Sequence, residues 1–174
     1  MIEEKNLKKE GEDLAKVAVE SGMGSKQLQT IFRLTKTRPM AFVEAFVQRQ
    51  IGRRIRGYDA FLMLLDLSKK YAGEKGLFEK VLMYANMLYS YYENEATMKL
   101  KTSAEVVIKR IVENQGFRYD GLDIEARGNF VEFRVGVQRF HDNPKTLAME
   151  IQRALKEKVS TLSGMRLRIW VEST

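Results

Sequence analysis

Residues 25–56, SKQLQTIFRLTKTRPMAFVEAFVQRQIGRRIR, hold eight cationic side chains: Lys26, Arg33, Lys36, Arg38, Arg49, Arg53, Arg54 and Arg56. One acid, Glu44, stands among them. The chemistry such a set offers is the binding of anions. Six of the eight are arginines, whose planar fork grips phosphate or carboxylate oxygens bidentately. The segment carries +7, which is also the net charge of the whole 174-residue chain. Residues 1–24, 57–101 and 102–174 carry −2, 0 and +2. The basicity is therefore one local field, and a field of this kind concentrates polyanions near it. Phosphate contacts along a nucleic-acid backbone come mostly from Lys and Arg. Nothing in the segment specifies base identity.

Bond-making chemistry has much less to work with. The chain has no cysteine, which excludes disulfides, thiolate metal sites and Cys nucleophiles. The only histidine, His141, stands in RFHDNP just before a helix start. A lone His beside Asp142 reads as a surface or capping residue. Asp120, Asp123 and Glu125 are close in sequence, and Asp123 and Glu125 share one strand face. Their oxygens have the chemistry of a Mg²⁺ site, but no motif joins them to a basic or hydroxyl partner, and solvated acids are the ordinary case. No P-loop, G-x-G-x-x-G, G-x-S-x-G or H-E-x-x-H occurs. The expectation is a protein without catalytic residues, metal or cofactor.

Hydrophobic content of 44% is that of a folded globular chain. The longest apolar runs fall well short of the ~20 residues that span a bilayer. The opening MIEEKNLKKEGEDL is acidic where a signal peptide would be basic and then apolar. Together these lead us to expect a cytoplasmic protein with no membrane partner.

The elements that must position the cations follow from periodicity. A first helix is expected over 3–20, with Leu14, Val17, Ala18 and Ser21 at helical spacing, and Gly22 and Gly24 break it. Ser25 is the expected N-cap of a second helix over 26–37. Leu28, Ile31, Phe32 and Thr35 give that helix a buried stripe, and Lys26, Thr30, Arg33 and Thr37 follow the opposite edge. Pro39 marks the boundary before a third helix over about 40–56, closed by Gly57. Phe42, Val43, Phe46, Val47 and Ile51 make its expected apolar side, with Arg49, Arg53 and Arg56 within about 60° of one another beside it. Arg54 falls nearer the apolar face, with a packed stem and a charged head reaching water.

A fourth helix is expected over 58–71, burying Tyr58, Phe61, Leu62, Leu65 and Tyr71. A fifth, over 77–95, has one stripe through Phe78, Val81, Leu82, Ala85, Leu88, Tyr89 and Tyr92. A second stripe through Leu77, Tyr84, Met87 and Tyr91 places that helix centrally in a bundle or against a partner. The junction 96–103, ATMKLKTS, lacks Pro and Gly and reads as helical. Beyond it the pattern becomes α-β-β-α-β. A helix carries Ala104, Val107, Ile108, Ile111 and Val112. Strands follow over 117–126 and around 131–137, with a hairpin turn at ARGN, 126–129. A helix starts at Asn143-Pro144, and a last strand alternates Leu167, Ile169 and Val171 with Arg166, Arg168 and Trp170. The fold class is mainly α: an N-terminal helical bundle, 1–101, followed by a small α+β domain, 102–174.

Three further readings concern binding. The helix pair could be a DNA-reading helix-turn-helix, but TKTRP lacks the usual glycine and the second helix opens on bulky apolar residues. Arg134, Arg166, Arg168 and Trp170 could make a basic aromatic sheet face for a single strand. The α-β-β-α-β order is similar to that of KH-type domains, although no GxxG stands between helices. Most aromatic and Met positions read as core, with Tyr84 and Tyr91 as the exceptions to test for stacking.

The first half resembles the small helical subunit of type III-A (Csm-type) CRISPR effector complexes. The carrying residues are SKQLQTIFRLTK (25–36), similar to that family's T-S-Q-I-R helix entry; RP (38–39) before an apolar helix ending in Arg49; and GLFEKVLMYANMLYSYYE (76–93), which resembles its closing aromatic helix. The resemblance covers about residues 22–95. It implies a non-catalytic helical subunit whose copies stack along larger subunits and line the RNA groove with basic residues. Partners would be single-stranded RNA, guide or target, and the other subunits, with self-association through the Tyr84/Tyr91 helix. Carried over, Lys26, Arg33, Arg49 and Arg53 would face RNA. Gln29 stands where the family motif has Arg, and the α-β-β-α-β half has no counterpart in the usual pattern. Two other classes stay open: a free-standing module whose basic helices dock an acidic protein, and an enzyme using the acids around Asp123.

Overall fold

The computed structural model describes residues 2–53, 56–127, 130–138 and 143–173. It divides into two compact units, Met1–Asn94 and Glu95–Thr174. The first is helical: α1 (Ile2–Glu20), α2 (Ser25–Thr37), α3 (Met40–Gly52), α4 (Tyr58–Lys70) and the first part of α5 (Lys75–Asn114). The second contains the rest of α5, β1 (Arg118–Arg127), β2 (Phe130–Gln138), α6 (Pro144–Lys158) and β3 (Arg166–Ser173). The chain is thus mainly α, with a small α+β region at its C-terminal end.

Each helix of the first unit buries the stripe its spacing prescribes. Leu7, Leu14 and Ala18 of α1, Leu28 and Ile31 of α2, and Val43 and Val47 of α3 are buried. They meet Phe61 and Leu64 of α4 and Phe78, Val81, Leu82 and Ala85 of α5 in one cluster. Each buried Leu, Ile, Val or Phe among them stabilises the fold by about 1.5–3 kcal/mol. At Gly11 α1 lies close against α5: a Cβ there would lie 2.5 Å from the Cβ of Tyr84 and 2.8 Å from the carbonyl oxygen of Val81.

In the second unit β2 is central, antiparallel to β1 and parallel to β3. The parallel pairing follows from the connection, since α6 carries the chain back across one face. Val131, Phe133, Val135 and Val137 alternate inward from β2 onto Ala104, Ile108 and Val112 of α5 and Leu147, Ile151 and Leu155 of α6. Asn143 caps α6 as its sequence predicts, accepting from the backbone N–H of Lys145 at 3.0 Å, with Pro144 in the first turn.

Several local expectations are corrected. The cap of α2 is Gly24, not Ser25; its N–H donates to Gln27 Oε1 at 2.9 Å. Helix α3 stops at Gly52 and not near 56. Gly57 opens α4 at φ +83° instead of closing α3. Phe42, Tyr58 and Leu62, expected in the core, are 49%, 43% and 37% exposed. The junction 96–103 is helical as expected, and the helices on either side of it form one, because nothing in ATMKLKTS interrupts the backbone hydrogen bonding. The expected hairpin turn has Gly128 and Asn129 outside the described residues, as are His141 and Asp142.

Candidate nucleic-acid interface

The turn between α1 and α2 sets where α2 begins. Met23 is fully buried in it, and its carbonyl oxygen accepts from the Tyr89 hydroxyl at 2.7 Å. Burial pushes the Tyr89 phenol up to about 12. On the other side Gly57 donates its N–H to the Ser21 carbonyl oxygen at 2.9 Å. A Cβ on Gly57 would stand 2.7 Å from the Met23 Cβ, so the α3–α4 connection lies directly on this turn. From this anchor α2 directs Leu28, Ile31 and Thr35 inward. Lys26 and Arg33, seven residues apart and so within about 20° of each other, point outward. Lys36 is also exposed, with its ammonium 4.3 Å from the Phe32 ring centroid.

Arg38 is the extended residue between α2 and α3, and its guanidinium carbon lies 5.5 Å from the Phe42 ring centroid. On α3 the buried residues are Val43 and Val47, and Phe42 and Arg49 share the outer face at the same seven-residue spacing. Arg53 caps the helix and Arg56 lies in the following turn. The expected single row of Arg49, Arg53 and Arg56 is therefore corrected: the helix ends before it can align them. Arg54 lies outside the described residues. The other seven cations, Lys26, Arg33, Lys36, Arg38, Arg49, Arg53 and Arg56, are all exposed.

Among the described residues none of the seven takes part in an ion pair. Other exposed bases, such as Lys8, Lys69, Arg110 and Lys156, also stand outside these ion pairs, and what sets the seven apart is that they fall on one stretch of chain with a single acid, Glu44. Three acids of α1 are engaged elsewhere. Glu10 accepts from Lys70 and Tyr71, Glu4 from Tyr84 and Lys80, and Glu12 from Lys16 and Tyr92. Glu4 is held below the usual carboxylate range, first by the Tyr84 hydroxyl and then by Lys80. Glu12 is held down first by Lys16 and then by Tyr92. These three carboxylates are thus engaged with α1, α4 and α5, and the cations of α2 and α3 face water.

The sheet of the second unit is arranged differently. Its outer face carries Asp123 and Glu125 from β1, Glu132 and Arg134 from β2, and Arg166, Arg168, Trp170 and Glu172 from β3. Glu132 bonds Arg134 at 3.1 Å and lies 3.9 Å from Arg168. Arg134, followed by the Trp170 side chain, holds the Glu132 carboxyl below its usual range. This face is mixed in sign and not the basic aromatic surface its β3 residues suggest alone. Asp120 accepts from Gln138 at 2.8 Å. Among the described residues no group of three or more His, Cys, Asp or Glu is placed to hold a metal ion.

Of the two tyrosines singled out, Tyr84 is half-buried and donates to Glu4, while Tyr91 is 63% exposed and Met87, one turn earlier, 70%. Phe42 is the binding candidate that sequence reasoning missed. A signal was present: it lies about 140° around the helix from Val47 but only about 20° from Arg49. Among the described residues no helix is long and apolar enough to cross a membrane. No known protein family matches this chain, and no curated protein or solved structure compared with it is significantly similar.

Proposed function

We propose that this chain is a non-catalytic RNA-binding structural subunit of a type III-A CRISPR effector complex, lining the groove for guide or target RNA with α2 and α3. The observation that carries the reading is the set of seven exposed cations without ion-pair partners among the described residues. An unpaired guanidinium already in water loses no internal partner when it meets phosphate, so the contact is favourable and salt-dependent. The residue resemblance over 22–95 adds the type of complex. The exposed Met87 and Tyr91 on α5 are the surface for stacking of copies or contact with the larger subunits.

The test is a filter-binding titration of labelled single-stranded RNA at low salt, beside a pull-down with an acidic protein. The proposal expects saturable RNA binding and RNA that stays intact with Mg²⁺ present. Binding to the acidic protein and not to RNA would overturn it in favour of a protein-docking module. Metal-dependent cleavage lost in Asp123→Ala would overturn its non-catalytic part.

A further inference from the structure

Phe42 is an anomaly as a core residue and makes sense as part of a binding surface. It is 49% exposed on the outer face of a helix whose inner face already buries Val43 and Val47. One cation, Arg38, lies over its ring at 5.5 Å to the centroid, and Arg49 follows it on the same helix face about 10.5 Å along the axis. The ring therefore has one guanidinium over it and a second arginine about two turns along the same helix face, within a segment whose sole acid is Glu44. An aromatic ring flanked by phosphate-binding cations offers a π-face to a base whose backbone the cations hold. In a duplex the bases are stacked on each other, and only their phosphates would reach this surface.

We infer that Phe42, with Arg38 beside it, is a stacking seat for an unpaired nucleobase, and that the ligand of this face is a single strand and not a duplex. The inference rests on the phosphate-binding reading above and adds a contact to the base itself. Base stacking on an aromatic side chain is tolerant of sequence, so the seat takes any of the bases. It also makes no use of the 2′-hydroxyl, so a DNA single strand fits Phe42 as RNA does.

The experiment is fluorescence anisotropy of the full chain with four labelled probes of equal phosphate number: single-stranded RNA, single-stranded DNA, duplex RNA and an abasic ribose-phosphate strand. Phe42→Ala is expected to weaken binding to both base-bearing single strands about tenfold and to leave the abasic strand and the duplex unchanged. The salt slope should stay the same, because no cation is removed. Phe42→Trp should restore or exceed the original affinity. Equal affinity of Phe42→Ala and the unaltered chain for single-stranded RNA would overturn the stacking seat while leaving the phosphate reading intact. Equal loss on the abasic strand would also overturn it, assigning Phe42 a structural role. Failure of the unaltered chain to bind any strand at low salt would overturn both readings.

Discussion

The two units place arginine beside an exposed aromatic ring in different electrostatic settings. On β2 and β3, Arg134 and Arg168 flank Glu132, and Arg168 lies over the Phe130 and Trp170 rings at 5.5 and 5.7 Å. On α2 and α3, Arg38 lies over Phe42 with no acid paired to it among the described residues. Residue type is the same in both places, and what differs is where the acids are. The helical unit uses Glu4, Glu10 and Glu12 to tie α1 to lysines and tyrosines on α1, α4 and α5, while the stretch through α2 and α3 carries seven described cations and one acid, Glu44. The sheet unit interleaves both signs on one face, where Arg134 and Arg168 already have Glu132 in reach. An arginine over an aromatic ring occurs on both surfaces, and what separates them is whether a carboxylate is paired with that arginine.

The harshest way to break this comparison is to weaken one unit and ask what the other still does. Phe133→Ala removes a fully buried ring from the sheet core and should cost about 3–5 kcal/mol. Thermal unfolding should show the loss, while RNA binding below the new transition stays within twofold. Loss of binding in the folded variant would assign RNA contact to the sheet unit. Reversing charge at Arg49 and Arg53 should next lower single-stranded RNA affinity about 100-fold at low salt and flatten the salt slope by about 1.4. An unchanged titration would remove α3 from the interface. A smaller and opposite effect is expected from Glu132→Gln, which releases Arg134 and Arg168. In the Arg49→Glu, Arg53→Glu background it should recover RNA affinity severalfold, and no recovery would mean that paired acids are not what silences the sheet.

The mildest test is titration of the α1–α2 anchor. Tyr89 has its phenol raised to about 12 by burial, so the neutral form is favoured in the fold. A group raised in this way contributes stability that is full below its unfolded value of about 10 and is lost as pH rises towards 12. Chemical denaturation across pH 9–12 should show that decline, and Tyr89→Phe should flatten part of it. An identical pH profile in Tyr89→Phe would show that the phenol does not titrate with the fold.

Much of the fold was legible because it rests on local periodicity. The stripes of Leu28, Ile31 and Thr35 and of Val131, Phe133, Val135 and Val137 give helix and strand directly, and Asn143-Pro144 gives a helix start. The cation positions could be named for the same reason. What escaped was set by tertiary neighbours. Gly57 reads equally well as the end of one helix or the start of the next, and the approach of Met23 decides it. Phe42 reads as core by hydrophobicity, its angular place beside Arg49 hints otherwise, and its exposure beside buried Val43 and Val47 decides it. The balance of the sheet face was hidden because Glu132 and Arg168 are distant in sequence and meet only through the β2–β3 register.

The central claim is that seven water-facing cations on one stretch of chain contact phosphates. The salt dependence of single-stranded RNA binding reads this most directly. If all seven take part, a plot of log affinity against log salt should fall with a slope near −5. A slope near zero, or no binding at the lowest salt, would contradict the account.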